Sequence, residues 1–273
     1  MAKPTSMICP NCGSLISTQE KTCPHCGASR PNFLGLGPVL NRLFGSRIDV
    51  LALIPTACIV LYVLSLLLDL GAALNTGGSL FRMLSPDPRP LEILGMTSGS
   101  APWWTVLTAT YLHGGLLHIL FNVMWIRQLG SEVGQLFGPA RYFIIYTVAG
   151  SIGFLLSNAF SGAPTVGASG AIFGLLAAMI VYGRNARTSM AAMMTRQIWQ
   201  WAIMMFIFGF LMTGVNNLAH FGGFVGGWIA AQVLVSDAGR REGRITVISA
   251  LLCLVLTILG FLLSIWHYLT LIF

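Results

Sequence analysis

Charge is scarce in this chain. Only 8% of its 273 residues are Asp, Glu, Lys or Arg, against about 25% in a soluble domain. Acidic residues are fewest, eight against fifteen basic ones. None lies inside the long apolar runs, and Asp49, Asp69 and Glu132 sit at their edges. No paired charges run through the depth of a bilayer and no inverted repeat is visible, which argues against a channel or transporter. The alternating ten-residue segments of an outer-membrane barrel are missing. So is an apolar run before residue 49, and no cleavable signal peptide is expected at the start. The formal net charge of +7 does not form a basic face. Its residues sit in short connections between apolar runs, a pattern that carries orientation and excludes nucleic acid as the expected partner.

What is there is apolar: 55% hydrophobic residues and a mean hydropathy of +0.78. Seven segments, at 49–69, 113–130, 141–160, 169–184, 197–213, 218–236 and 245–272, approach the 20 or so residues that cross a hydrocarbon core as helix. The spacing predicts an all-α polytopic membrane protein. A connection of about forty residues separates the first two segments, with Pro86, Pro88, Pro90, Trp103 and Trp104, and reads as a structured surface insertion. Arg42 and Arg47 precede the first span, Arg127 and Arg141 follow the second, Arg184, Arg187 and Arg196 follow the fourth, and Arg240, Arg241 and Arg244 follow the sixth. Only Arg82 and Arg89 lie on the other side, so the N-terminus is expected in the cytoplasm and the C-terminus outside.

Residues 1–30 are polar and hold four of the six cysteines. Cys9, Cys12, Cys23 and Cys26 form two CPxCG knuckles, a spacing suited to tetrahedral ligation of structural Zn2+ in a small ribbon. A disulfide pair would need an oxidising compartment, which the expected cytoplasmic location does not offer. His25 reads as a bystander, and Cys58 and Cys253 as small core residues. Residues 31–48 read as a linker with a short interfacial piece. The job of the ribbon stays open between a cytosolic partner, regulation and stabilisation of the N-terminus.

Three spans, the second, fourth and sixth, are expected to start at the outer face, and polar residues gather at their starts. His113, His118 and Asn122 open the second, Ser169 the fourth, and Asn216, Asn217 and His220 the sixth. At about 1.5 Å per residue all lie within the first two turns. His118 and Asn122 share a helix face, whereas His113 would be turned about 140° from His118 and would serve a neighbouring loop. Gly223 and Gly227 follow His220 on its own face, and Gly170 and Gly174 flank Ser169, so two helix backbones can approach closely. A serine hydroxyl needs a base to become a nucleophile, and His220 is the candidate. With no acidic third member the pair would be a dyad. His118, Asn122 and the Ser169 amide would face a developing oxyanion. The competing reading of Ser169 is a small packing residue in a membrane helix.

The motifs "GASGAIFG", "HGGLLHILFN" and "AHFGGFVGG" resemble, in order, the three signatures of the rhomboid intramembrane serine proteases. The resemblance covers residues 49–236, a six-helix core. It leaves 237–273 as a cytoplasmic loop and seventh transmembrane helix, with the ribbon as an addition. It implies Ser169 as nucleophile, His220 as general base, and an oxyanion hole from His118, Asn122 and the Gly167–Ser169 turn. It also implies that Glu132 is a structural glutamate just beyond the second helix and that His113 supports the insertion. The implied substrates are transmembrane segments of other proteins, met in the bilayer. The expected location is a bacterial inner (plasma) membrane. Two positions depart from the family. Trp104 is followed by Thr105 where Arg is frequent, and Phe173 stands where a tyrosine commonly stacks on the histidine. Stacking is expected to persist without the hydroxyl. The alternative is a non-catalytic relative that escorts transmembrane segments, a class that typically loses Ser or His.

Overall fold

The computed structural model describes residues 6–9, 14–20, 22–25, 50–71, 84–186, 188–212, 214–240 and 242–272. It divides into two compact units, Met1–Asp49 and Val50–Phe273. In the first, strand β1 (Ser6–Ile8) pairs antiparallel with β2 (Leu15–Ser17), Ser6 opposite Ser17 and Ile8 opposite Leu15. The period-2 alternation of a strand turns Ile16 inward and leaves Leu15 and Ser17 exposed. The Cys9 N–H, directly after β1, donates to the Ser14 carbonyl at 2.8 Å and closes the turn. Cys9, Ile16 and Cys23 are buried together. Cys12, Cys26 and the expected interfacial piece at 31–48 lie outside the described residues, as do Arg42, Arg47, Arg82, Arg187 and Arg241.

The regular elements described in the second unit are helices. In chain order it comprises α1 (Val50–Leu67), α2 (Pro88–Ile93), α3 (Thr105–Thr108) with a 3-10 turn (Ala109–Tyr111), α4 (Leu116–Phe137), α5 (Pro139–Phe160), α6 (Ser169–Ala186), α7 (Ser189–Leu211), α8 (Asn217–Leu234) and α9 (Arg244–Ile272). Seven of these occupy the seven expected segments, and α2 and α3 lie in the insertion. Both ends of α4 and the start of α7 differ most from the expected segments. The second segment was expected to close at 130, where polarity rises, but α4 runs seven residues further. Leaving an apolar layer does not end a helix; Gly138, at φ +96°, and Pro139 in the first turn of α5 do. Likewise α7 begins at Ser189 rather than 197, because Thr188 caps it by accepting the Ala191 N–H at 3.1 Å.

At that α4–α5 corner Arg141, read from sequence as a connection charge, is 1% exposed. Its guanidinium donates to the carbonyls of Phe137 at 2.6 Å and Arg240 at 3.1 Å, and its N–H donates to Glu242 Oε1 at 2.9 Å. A cation at the C-terminus of α4 meets the carbonyls that the helix leaves open. The corner is thereby fastened to the α8–α9 connection.

The core is built around α6. Every residue from Gly170 to Val181 is buried, so no face of its first three turns meets solvent or lipid. Its largest packing partners are α8 and α5. A Cβ placed on Gly223 or Gly227 would overlap the backbone of Gly170 or Gly174 respectively. The two glycine pairs read from the sequence therefore lie directly across one seam. On length and apolarity alone, α5 and Arg244–Leu271 can each cross a bilayer, and Thr105–Tyr111 with Leu116–Phe137 form a pair bent by 93° that qualifies together. The helices α6 and α8, each 18 residues, about 27 Å long, are shorter and glycine-bearing. They pack against each other, α6 buried and α8 half-exposed. The chain is an integral membrane protein, with a six-helix core and a seventh long helix, α9, whose outward face is Ile, Leu and Val.

Candidate active site

Ser169 is the first residue of α6, and the loop before it is held on three sides. Thr165 pairs with Thr97 of the insertion through backbone bonds of 3.3 and 2.8 Å. The Gly167 N–H donates to the Ala109 carbonyl at 2.9 Å. Thr165 Oγ1 accepts from Asn216 Nδ2 at 3.3 Å. The insertion is itself anchored by hydroxyls. Thr97 Oγ1 accepts from Asn158 Nδ2 at 2.8 Å and lies 2.9 Å from Thr105 Oγ1, which also reaches the Pro102 carbonyl at 2.7 Å. Thr105, one of the two departures, is thus a buried anchor in its own right.

His220 lies in the first turn of α8, 6% exposed. Its Nε2 is 2.8 Å from Ser169 Oγ. When the ring proton sits on Nδ1, Nε2 accepts the serine proton, the arrangement of a nucleophile and its base. Nδ1 is buried with no partner among the described residues, so no carboxylate orients the ring. Packing does that instead. Phe173, one turn beyond Ser169, stacks on the imidazole with centroids 4.5 Å apart and planes 22° from parallel. The expected face-on contact persists without a tyrosine hydroxyl. Phe206 of α7 then meets Phe173 edge-on at 6.2 Å.

His118 projects from the start of α4 over Gly167. A Cβ on Gly167 would lie 2.7 Å from His118 Nε2 and 3.9 Å from Ser169 Oγ, and Gly167 has φ +134°. Space and backbone both demand glycine there. His118 Nδ1 accepts the Gly114 N–H across a long 3.4 Å, which leaves the ring proton on Nε2, facing the serine turn. Asn122 donates one amide proton to the His118 carbonyl at 2.7 Å, and the other has no partner among the described residues. Its Oδ1 is buried without a partner among the described residues. Together with the first amide of α6, which a helix leaves open, these groups can receive negative charge beside Ser169 Oγ.

His113 does not follow the helical phase assumed from sequence. The helix α4 starts only at Leu116, and the preceding loop folds the fully buried His113 ring back to 5.1 Å from the His118 ring. Its Nδ1 lies 3.2 Å from the Tyr111 carbonyl. Glu132 stands apart. It is exposed, inside α4 rather than beyond it, fourteen residues or about 21 Å along the helix from His118. The structure does not bring it to the site. Sequence reasoning gave no role to Thr97, Ser157, Asn158 or Thr165, because single hydroxyls and amides in apolar surroundings carry no periodic signal. Asn216 did have one, an Asn immediately before an apolar helix.

The bundle thus places a serine at the N-terminus of one buried helix within hydrogen-bond reach of a histidine at the start of its neighbour. A family model for the rhomboid domain matches residues 100–237, and one for a zinc-ribbon domain matches 8–29. The chain belongs to the rhomboid family. It is 36% identical over 161 residues to Rhomboid protease GluP of Bacillus subtilis, covering 59% of this chain and 31% of that one. It is 31% identical over 165 residues to Rhomboid-type serine protease 2 of Emericella nidulans, covering 59% and 32%. Inactive RHOMBOID-like protein 8 of Arabidopsis thaliana is also similar, 32% over 157 residues, covering 52% and 43%. The chain spans about a third of the length of the first two relatives.

Proposed function

We propose that this chain is an intramembrane serine endopeptidase that cleaves transmembrane segments of other membrane proteins. The observation that carries the reading is the 2.8 Å contact between Ser169 Oγ and His220 Nε2. An inactive relative lies at similar identity, so the retained pair, and not the family alone, supports activity. Ser169 attacks the scissile carbonyl as His220 takes its proton. The oxyanion forms beside the Ser169 amide, His118 Nε2–H and Asn122. His220 then gives the proton to the leaving amine, and a water hydrolyses the acyl-enzyme with His220 as base again. The arginine distribution supports a cytoplasmic N-terminus, an outer C-terminus and a site near the outer face of a bacterial inner membrane. Substrate would approach laterally beside α7.

Zinc belongs to the ribbon and not to the chemistry. Cys9 and Cys23, buried around one small core at the foot of the hairpin, fit a site that Cys12 and Cys26 would complete. Bound Zn2+ would supply folding energy. Elemental analysis should find one zinc per chain, lost in Cys9→Ser; a metal-free wild-type chain rejects the assignment.

The deciding experiment uses the full chain in proteoliposomes with a generic transmembrane substrate. Ser169→Ala and His220→Ala should each lower cleavage by roughly 10⁴-fold or more. A fluorophosphonate should label Ser169, and that labelling should vanish in His220→Ala. Cleavage that survives Ser169→Ala would sink the mechanism. Substrate binding without cleavage or labelling in the wild type would favour the escort reading.

A further inference from the structure

We infer that Asn216 is a positioning residue that sets Ser169 against His220 by tying the serine loop to the cap of the histidine helix. The inference rests on the protease reading for its functional consequence, and on geometry alone for the tie. Asn216 is the N-cap of α8. Its Oδ1 accepts the Ala219 N–H at 3.0 Å, and its carbonyl accepts the His220 N–H at 3.1 Å. Capping needs nothing more, and Ser, Thr or Asp would serve as well. The amide nitrogen is surplus to that task, and both its protons are spent elsewhere. One goes to Ser157 Oγ at 2.6 Å, the other to Thr165 Oγ1 at 3.3 Å.

Those two hydroxyls lie on the segment that delivers the nucleophile. Ser157 is fully buried in the last turn of α5, and Thr165 stands four residues before Ser169. One side chain therefore joins the start of α8, the end of α5 and the serine loop. The glycine seam fixes α6 to α8 from Gly170 onward, where a Cβ would meet the Ala219 carbonyl at 3.0 Å, but it does not include the loop before Ser169. The remaining loop anchors, Thr97 and the Ala109 carbonyl, come from the insertion and carry no information about α8. Asn216, by hydrogen bonding, refers the loop to the helix that bears His220. In a buried setting such a bond is stronger than in water. A misplacement of about 1 Å between reacting groups can cost roughly 10²-fold in rate.

The variants separate capping from tying. Asn216→Ser keeps a cap oxygen but is too short to reach Ser157 and Thr165. Asn216→Asp keeps cap and reach, and the two hydroxyls can donate to it. Thr165→Val removes one acceptor at similar shape. Each is compared with wild type, as the full chain, by melting temperature, by the fluorophosphonate labelling rate of Ser169 and by hydrogen exchange of amides 162–168. Asn216→Ser should melt like wild type, label about tenfold slower and exchange about tenfold faster in that loop, the scale of one net hydrogen bond. Asn216→Asp should recover most of both. Thr165→Val should slow labelling too, with little further loss when combined with Asn216→Ser. Wild-type labelling and exchange in Asn216→Ser overturn the inference. So does a loss shared equally by Asn216→Asp, or one that merely tracks a fallen melting temperature. If wild-type Ser169 does not label at all, the protease reading falls, and the exchange comparison alone supports or overturns the tie.

Discussion

The helices α7 and α8 both lie against α6, and they meet it in opposite ways. The buried face of α8 is Ala219, His220, Gly222, Gly223, Gly226, Gly227, Ala230 and Ala231, which apart from His220 is almost bare backbone. The buried residues of α7 are only Ala191, Ile198, Ala202 and Gly209, while Ile203, Met204, Ile207, Phe208, Phe210 and Leu211 point outward. Backbone against backbone has one docking position, because any shift drives main-chain atoms into each other. Long flexible side chains such as Met and Phe allow several positions of similar energy. His220 rides on the helix that cannot shift. Among the described residues, α7 meets the site's aromatic stack through the edge of Phe206 on Phe173.

The comparison breaks most visibly at Gly223. A leucine there must displace the Gly170 carbonyl, and Gly223→Leu should abolish both cooperative melting and Ser169 labelling. Gly223→Ala is the sharper test. It should cost about 1–3 kcal/mol, the range for overpacking a filled core, and should slow labelling more than it lowers stability. Gly243→Ala serves as the control, since nothing lies within 4 Å of a Cβ there. Equal melting of the two alanine variants would mean that the seam is not tight.

Phe173 stands between the two regimes, fixed on α6 but touching α7. Aromatic stacking contributes about 0.5–1.5 kcal/mol beyond area burial. Phe173→Leu keeps apolar volume and loses the face, so Ser169 labelling should fall roughly two- to tenfold on that scale. Melting should change little. If Phe173→Leu labels like wild type, the imidazole is held by something other than the ring.

Much of this was legible in advance, and the reasons are specific. Gly170, Gly174, Gly223 and Gly227 recur at helical spacing, and spacing alone carries the seam. Ser169 and His220 could be paired because both open spans of one direction, a consequence of arginines in the connections. The helical phase of His113 and the place of Glu132 differ from expectation for a common cause. Each was placed by assuming where α4 starts or stops, and helix ends depend on local turn chemistry such as Gly138–Pro139. Arg141 failed because a connection charge and a buried helix-end charge look the same in sequence. The loop anchors Thr97, Thr105, Asn158 and Thr165 make contacts between unlike elements, Asn158 to Thr97 across 61 residues and Thr165 to Thr97 across still more, and no periodicity announces them.

The smallest effects should come from the outward face of α7, and they test whether its looseness has a use. Ile207 is 57% exposed, and Phe210, 69% exposed, packs through an edge-on contact with Phe206 at 5.3 Å, so truncation removes little packing. Phe210→Ala and Ile207→Ala should leave melting within about 0.5 kcal/mol of wild type, as for exposed sites generally. Fluorophosphonate labelling should also hold, since a small probe needs no lateral entry. Cleavage of a transmembrane substrate is the sensitive readout, because on the proposed lateral approach beside α7 such a segment passes this face to reach Ser169. A change in KM of roughly two- to fivefold with kcat held would mark contacts made equally in the ground and transition states. If both kinetic constants stay at wild-type values in the double variant, substrate enters past another helix. The exposed side of α7 would then be nothing more than a lipid-facing surface.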